Sequence, residues 1–298
     1  MTSLSRRGAL TAGFAAAATP SFADTRTARA DARLSDALAD PAQRLLIRAR
    51  LFGSTRTATI HRISQGHVWA ETPDAPARRP LFSVINYAVA DWRPDPAGGF
   101  AVTSWDSAVY TRFGTAEPLE WFDNPFTGAR QRPIAFLLGP MTSRVTAEAM
   151  ATGGEAVARP RDLARLVQGG HLIWPIASAR TIPNPLDRAR FPQSWGGPTL
   201  SYDLFAAFTA RSADLLNPDL AQACATSRYD ENTPWPYWMA MGERPGRLVA
   251  HGFGVKLAEL DEADPMLVAA LRAGAPAMFA PERWTSPRND LTEFLASR

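Results

Sequence analysis

Apolar and polar residues alternate along much of the chain, as they do in half-buried β-strands. The alternation is regular over residues 57–63, and the run 67–70 continues it beyond Gly66. Successive side chains of a strand point to opposite faces, so this pattern predicts strands. Similar runs recur at residues 81–89, 100–111, 119–122, 133–138, 201–209, 221–228, 237–241 and 247–256. The segments between them are rich in Pro, Gly and Asp, which favours an antiparallel meander.

Helical patterns stand near both ends of this β-rich region. Residues 41–52 and 265–272 each begin with Pro directly after Asp, a good N-cap followed by the residue favoured at the first helical position. A short helix is also predicted at 160–168, and the Pro- and Gly-rich segment 183–198 is typical of a surface loop. The predicted fold class is mainly β. We expect an antiparallel meander closing into a barrel-like or sandwich architecture, with short helices at both ends.

The N-terminal residues have the pattern of an export signal. A twin-arginine motif at residues 5–10 leads into an apolar stretch, and small residues precede a cleavage site after Ala23. This combination predicts export by the twin-arginine translocase to the periplasm or the medium, while the alternative is a buried amphipathic helix. The predicted organisation is a signal peptide (1–23), a polar leader (24–40) and a single β-rich domain (41–298).

Composition narrows the function classes. Removing 23 residues from 298 leaves 275, and the loss of Arg6 and Arg7 lowers the formal net charge from +3 to +1. The remaining arginines are scattered among acids, so no nucleic-acid partner is expected. One cysteine excludes an intramolecular disulfide and a Cys-based zinc site. No apolar run approaches the roughly 20 residues of a spanning helix, so no membrane span is expected in the mature chain.

Three motifs resemble a bacterial and fungal family known only as domain of unknown function 1838. They are WPYWMAMG at 235–242 followed by PGRLV at 245–249, LFSV at 81–84, and WFDNPFTG at 121–128. The resemblance runs over roughly residues 42–295. The chain departs from the family pattern at 138–140, where LGP replaces Asn-Asp-Pro, and at Asp203, where a Glu is common. The resemblance implies a fold and no activity.

The histidines are few, and they give little support to a metal site. His61 and His67 would share one face of a strand, as two ligands of a metal ion would. Six residues of extended strand span about 20 Å, so only a turn or bulge near Gly66 would bring the two rings together. A hydrogen-bonded or solvent-facing histidine is the simpler interpretation. No metal and no cofactor are therefore expected.

The stretch from His251 to Lys256 is the strongest catalytic candidate. Its two glycines mark a bulge or the close approach of another group, because glycine weakens a strand interior. Lys256 is the only lysine in an arginine-rich chain, and burial can lower the pKa of a lysine enough for general-base or Schiff-base chemistry. His251 would be its acid/base partner, with Asp203 and Tyr237 as further catalytic candidates. The alternative is an exposed lysine at the end of a strand.

Aromatic and Met residues cluster at 235–241 and suggest a binding surface. Trp235, Trp238, Met239 and Met241 would form the wall of a pocket for an apolar or aromatic molecule, unless they are plain core. The leading hypothesis is an exported protein that binds such a molecule and acts on it as a cofactor-independent isomerase or lyase. The rival hypothesis is a non-catalytic periplasmic binding or accessory protein.

Overall fold

In a computed structural model of the protein, which describes residues 22–152 and 161–298, eleven of the thirteen strands of the described residues form one curled antiparallel sheet. The strands are β1 (Ala58–Glu71), β2 (Arg79–Pro94), β3 (Phe100–Thr111), β4 (Phe122–Asp123), β5 (Arg130–Gln131), β6 (Phe136–Val145), β7 (Met150–Thr152), β8 (Arg161–Asp162), β9 (Leu166–Gln168), β10 (His171–Pro183), β11 (Thr199–Arg211), β12 (Ala225–Thr233) and β13 (Arg247–Leu257). The α-helices are α1 (Phe22–Ala39), α2 (Pro41–Phe52), α3 (Ser212–Leu216), α4 (Pro265–Gly274) and α5 (Asp290–Ala296). Short 3₁₀ helices span Tyr237–Met239, Leu260–Glu262, Pro276–Phe279 and Pro281–Arg283.

The sheet is a meander whose first and last long strands meet in its middle. Its order is β7-β6-β3-β2-β1-β13-β12-β11-β10-β8, with β9 also paired to β10, while β4 and β5 form a separate pair. The chain runs outward from β1 through β2, β3 and β6, and it returns from β10 through β11 and β12 to β13. The predicted mainly β architecture is confirmed, and the curled sheet forms a half-barrel.

The first two helices pack into the concave side of the half-barrel at one end. Leu51 of α2 belongs to one apolar cluster with Val102 of β3 and Trp174 of β10, which lie far apart in the strand order. A single helix can touch both strands only if it lies inside the curve, so we call this side the inner face. Along β1 the inner-face residues are the even-numbered ones, since strand side chains alternate.

The C-terminal segment covers the opposite, outer face of β1, β2 and β3. Ile63 and Ile85 pack there in one cluster with Leu271 of α4 and Met278.

The predicted capping of α2 and α4 is confirmed. The Asp40 side chain accepts a hydrogen bond from the Gln43 N–H at the start of α2, and the Asp264 side chain accepts one from the Met266 N–H at the start of α4.

Several local predictions differ from the structure. Residues 24–40, expected to be a polar leader, lie almost wholly in α1, where Leu34 is fully buried. The sequence pattern did not predict this helix because it has few large apolar residues. Asp31 also anchors the helix by accepting hydrogen bonds from the Gly170 N–H and the Ser212 hydroxyl. The helix predicted at 160–168 is wrong within the described residues, since β8 and β9 lie there. The strand predicted at 237–241 is instead a 3₁₀ turn.

The twin-arginine motif at 5–10 and most of the predicted signal peptide lie outside the described residues. Cleavage after Ala23 would remove only the first two residues of α1. Across the described ranges, none of the helices combines the length and the apolar character of a membrane span.

Candidate functional site

A tyrosine lies across the inner face where three strands meet. Tyr229 of β12 stands beside Gly252 of β13 in the sheet register, and Gly252 stands beside Gly66 of β1. A Cβ atom added to Gly252 would lie 2.3 Å from the Tyr229 ring, and one added to Gly66 would lie 2.2 Å from its hydroxyl oxygen. The two glycines therefore leave the space in which this ring lies flat on the sheet.

The far end of Tyr229 is fixed by β2. The Asn86 side-chain amide donates a hydrogen bond of 2.8 Å to the Tyr229 hydroxyl oxygen and one of 3.2 Å to the hydroxyl oxygen of Ser64. Burial raises the pKa of Tyr229 above its usual value of 10, with a smaller contribution from the charge of Glu231. The phenol is thus protonated at neutral pH, and its oxygen accepts from Asn86 while Ser64 is a further hydrogen-bond partner of the hydroxyl.

Glu231 lies two residues beyond Tyr229 on β12 and so shares the inner face. Burial raises its pKa to about 6, and the charge of Arg180 opposes this shift. Among the hydrogen bonds and ion pairs of residues 22–152 and 161–298, none involves the Glu231 carboxylate. A half-buried carboxylate without a hydrogen bond destabilises the fold, which makes such a group a candidate for function.

The charge of Glu231 reaches tyrosines on three strands. It adds to the effect of burial in raising the pKa of Tyr110 on β3, Tyr202 on β11 and Tyr229 on β12. Burial is the main cause in each case, and for Tyr110 and Tyr202 the charge of Asp290 contributes more than that of Glu231. Together these effects raise the pKa of Tyr202 to about 12. Because β3 and β12 are separated by three strands in the sheet, Glu231 and Tyr110 come into range only across the curve of the half-barrel.

A second half-buried carboxyl group lies on the same face nearer to α2. Asp106 of β3 stands at an irregularity in the pairing with β6, a common feature next to functional sites. Burial raises its pKa to about 6, and the charge of Arg62 opposes the shift. Arg62 itself donates to the Phe52 carbonyl and lies 5.3 Å from the centroid of the Phe208 ring. Asp106 and Glu231 thus line one half-buried polar interior.

Lys256 holds the end of α2. Its side-chain nitrogen donates to the carbonyls of Arg50 and Gly53, the second at 3.0 Å, and only 7% of the residue is exposed. Burial lowers its pKa to about 6, with a further contribution from Arg62. The last carbonyls of a helix lack partners within the helix, so Lys256 has a clear structural role. The expectation of an exposed strand-end lysine is not met.

His251 lies on the outer face, opposite to Lys256. One ring nitrogen contacts the Asp230 carboxylate, and the other is 3.1 Å from an Arg78 guanidinium nitrogen. The ring also lies 5.4 Å from Trp69. The structure therefore does not bring His251 and Lys256 together, and the catalytic role assigned to this pair stays a prediction.

The other two predicted catalytic residues, Asp203 and Tyr237, occupy different environments. Asp203 is exposed on the outer face of β11, beside Asn232. Tyr237 is buried against Phe294 of α5, where burial raises its pKa, and the neighbouring groups Tyr202 and Asp290 add to the shift. Tyr237 thus adjoins the tyrosine group, the name we give to Tyr110, Tyr202 and Tyr229, through its interaction with Tyr202.

The predicted wall residues are packed in the core at one end of the half-barrel. Trp238 contacts three aromatic rings, including that of Tyr110 at 5.0 Å between centroids. The Trp235 indole donates to the Arg244 carbonyl, and the Asn124 amide donates to the Met239 carbonyl and the Met241 sulfur. Trp238 therefore borders the tyrosine group through its contact with Tyr110. Trp235, Met239 and Met241 belong to the same apolar cluster as Trp238.

The histidines do not gather around a common point. His61 bonds to the Tyr87 hydroxyl at 2.9 Å, whereas His67 bonds to the Ser83 hydroxyl at 2.8 Å. In the ranges that the structure describes, no group of three or more His, Cys, Asp or Glu side chains is placed to hold a metal ion.

Sequence reasoning missed Glu231, Asp106, Asn86 and the packing of Tyr229. The useful signal was the set of strand glycines, which indicate that a large side chain lies across them. Tyr229 and Glu231 also alternate on one strand, but only the register shows which face they occupy.

A family model described as a protein of unknown function, DUF1838, matches residues 58–296. None of the curated proteins compared with the chain matches it. The family match begins with β1, so α1 and α2 precede it.

Proposed function

The chain belongs to the DUF1838 family, whose description assigns no activity, and from the inner-face site we propose that it is an exported protein that binds a small molecule and transfers protons on it without a cofactor. The molecule would carry an apolar or aromatic part and a carbonyl group. The reaction class is an isomerisation or a lyase-type elimination.

The observation that carries this proposal is the position of Glu231. Its carboxylate has a pKa of about 6 and is held near the protonated phenols of Tyr110, Tyr202 and Tyr229. A general base works best when its pKa lies near the operating pH, and a carboxylate with a raised pKa meets that condition. Protonated phenols supply hydrogen-bond donors for developing negative charge.

In the proposed reaction Glu231 removes a proton from the carbon next to a substrate carbonyl. The electron pair of the broken C–H bond moves to the carbonyl oxygen, which accepts a hydrogen bond from a phenol. In an isomerisation, Glu231 then returns the proton to a different carbon. In an elimination, the electrons instead expel a leaving group, which takes the proton from Glu231, so that the carboxylate and the phenols return to their starting states. Neither route changes the oxidation state of the protein, so proton transfer alone completes it.

The surroundings suit a ligand with an aromatic or apolar part. Tyr110 stacks edge-on against Trp238, and the Phe208 ring lies on the inner face nearer to α2. Aromatic walls with a few polar groups are typical of small-molecule sites. The same features would suit a protein that binds without turnover, which is the alternative function.

The test combines ligand identification with two matched variants. We expect native mass spectrometry of the purified protein to show a bound small molecule, which is then released and identified. Glu231→Gln keeps the shape and removes the base, so it should retain the molecule while abolishing its conversion. Glu120→Gln, at an exposed carboxylate, serves as the control. Unchanged conversion in Glu231→Gln excludes this mechanism, and binding without conversion in the wild type favours the binding-protein alternative.

Export is tested separately. We expect the protein to be found outside the cytoplasm with an N-terminus at Asp24, and to accumulate inside the cell when Arg6 and Arg7 are both changed to Lys. A mature protein that still begins at Met1 contradicts the export proposal. The site proposal does not depend on the result.

A further inference from the structure

A cavity lies on the outer face of the sheet, separate from the tyrosine group. It has a volume of about 480 Å³ and lies between β1, β2 and β3 on one side and the segment from Leu260 to Glu282 on the other. The sheet separates it from the inner face, so the two sites do not share lining side chains.

Aromatic rings form one side of this cavity. Tyr87 stacks on Phe279 with 5.7 Å between ring centroids and 25° between ring planes, and its hydroxyl bonds to His61. The guanidinium of Arg272 lies 4.2 Å from the centroid of the Phe279 ring. The protein thus places one of its own cations on this aromatic surface, which shows that the surface accepts a cation.

Negative charge predominates around the cavity. The carboxylates of Asp91 and Glu282 line it, and those of Glu259 and Glu262 act on His61 from close by. Burial lowers the pKa of His61, so the imidazole is neutral at neutral pH. Among the described residues that line the cavity, Arg272 carries the positive charge. Glu282 also pairs with Arg283 at 3.7 Å, which leaves the carboxylates of Asp91, Glu259 and Glu262 against the Arg272 guanidinium and gives the cavity a negative potential.

We propose that this cavity binds a small organic cation, an ammonium or guanidinium group attached to an apolar or aromatic body. The charged group would face Asp91, which also accepts a 2.7 Å hydrogen bond from the Thr59 hydroxyl. The apolar body would lie against Val89, Met278 and Phe279. An anion would gain from Arg272 but would meet the surrounding carboxylates, so it is disfavoured.

Calorimetric titration of the full chain tests this inference with benzylammonium as the probe and with benzoate and benzyl alcohol as matched probes of the opposite and zero charge. We expect saturable binding of benzylammonium and at least about tenfold weaker binding of the other two.

Two variants place the binding in the cavity. Asp91→Asn removes the charge while its amide oxygen can still accept from Thr59, and Phe279→Leu removes the aromatic face. Each should weaken benzylammonium binding by about fivefold or more, whereas Asp36→Asn on the exposed side of α1 should not change it. Thermal unfolding verifies that the variants are folded. The inference is overturned if benzylammonium does not bind, if benzoate binds as well, or if neither cavity variant weakens binding.

Discussion

Tyr229 on β12 and Asn86 on β2 are joined by a 2.8 Å hydrogen bond that passes over two intervening strands. A tyrosine side chain can span that width only when it lies flat, and Gly252 and Gly66 provide the flat surface. The bond fixes a phenol next to Glu231 on the inner face. The positions of the two glycines and the geometry of the proposed site are therefore linked.

Gly252→Ala should disturb this arrangement. The added methyl group would lie 2.3 Å from the Tyr229 ring, so the ring has to move and the bond to Asn86 is strained or lost. We expect the free energy of unfolding to fall by about 1–3 kcal/mol, as for other overpacked sites. Urea denaturation measures the change.

Gly196→Ala is the control, because the nearest atom to its added methyl group is 3.8 Å away. The loss should also shrink in a Tyr229→Ala background, where the clashing ring is absent. An equal loss in both backgrounds would show that Gly252 is needed for some other reason.

The strand pattern was sufficient to predict most of the fold, because period-two alternation needs only local sequence. The same alternation also determines on which faces of the sheet the candidate pair His251 and Lys256 lie. His251 and Lys256 are five residues apart, and an odd separation on a regular strand places two side chains on opposite faces. Their separation in the structure follows from this rule alone.

The site was less predictable because it depends on strand order. Glu231 and Tyr110 are more than a hundred residues apart in the sequence. They approach each other only because β1 pairs with β13 and the sheet is curled. Similarly, the end of α2 determines the surroundings of Lys256. Neither relationship is encoded in a local pattern.

Glu231→Gln should stabilise the protein at alkaline pH. Burial raises the folded-state pKa of Glu231 from 4.5 to about 6, so stability due to its protonated form is full below pH 4.5 and is lost as the pH rises through 6. Glutamine has no charge to bury, so we expect a gain of about 1–2 kcal/mol at pH 8. At pH 4 the gain should vanish. Denaturation curves at both pH values test this, and a gain equal at both would contradict the assigned shift.

Lys256→Met should remove a contribution to stability that rises with pH, whereas the contribution of Glu231 falls with pH. The folded-state pKa of Lys256 falls from 10.5 to about 6, so the unfolded chain binds more protons between these values and stability rises with pH across that window. The variant lacks this rise and also leaves two helix-end carbonyls without their donor, a loss of about 1–3 kcal/mol. The stability of the wild type minus that of the variant should therefore increase from pH 7 to pH 9. A difference independent of pH would mean that Lys256 stays charged in the folded protein.

His251→Gln distinguishes the site proposed from the structure from the pair predicted from the sequence. Because His251 lies on the outer face and contacts Asp230 and Arg78, its loss should lower the free energy of unfolding by about 1 kcal/mol. Occupancy of the bound small molecule, measured by native mass spectrometry, should stay at the wild-type level, since Glu231 and its tyrosines are on the other side of the sheet. Conversion of that molecule should also be unchanged. Loss of conversion in a folded His251→Gln protein would instead place the reacting group on the outer face and support the catalytic role predicted for His251.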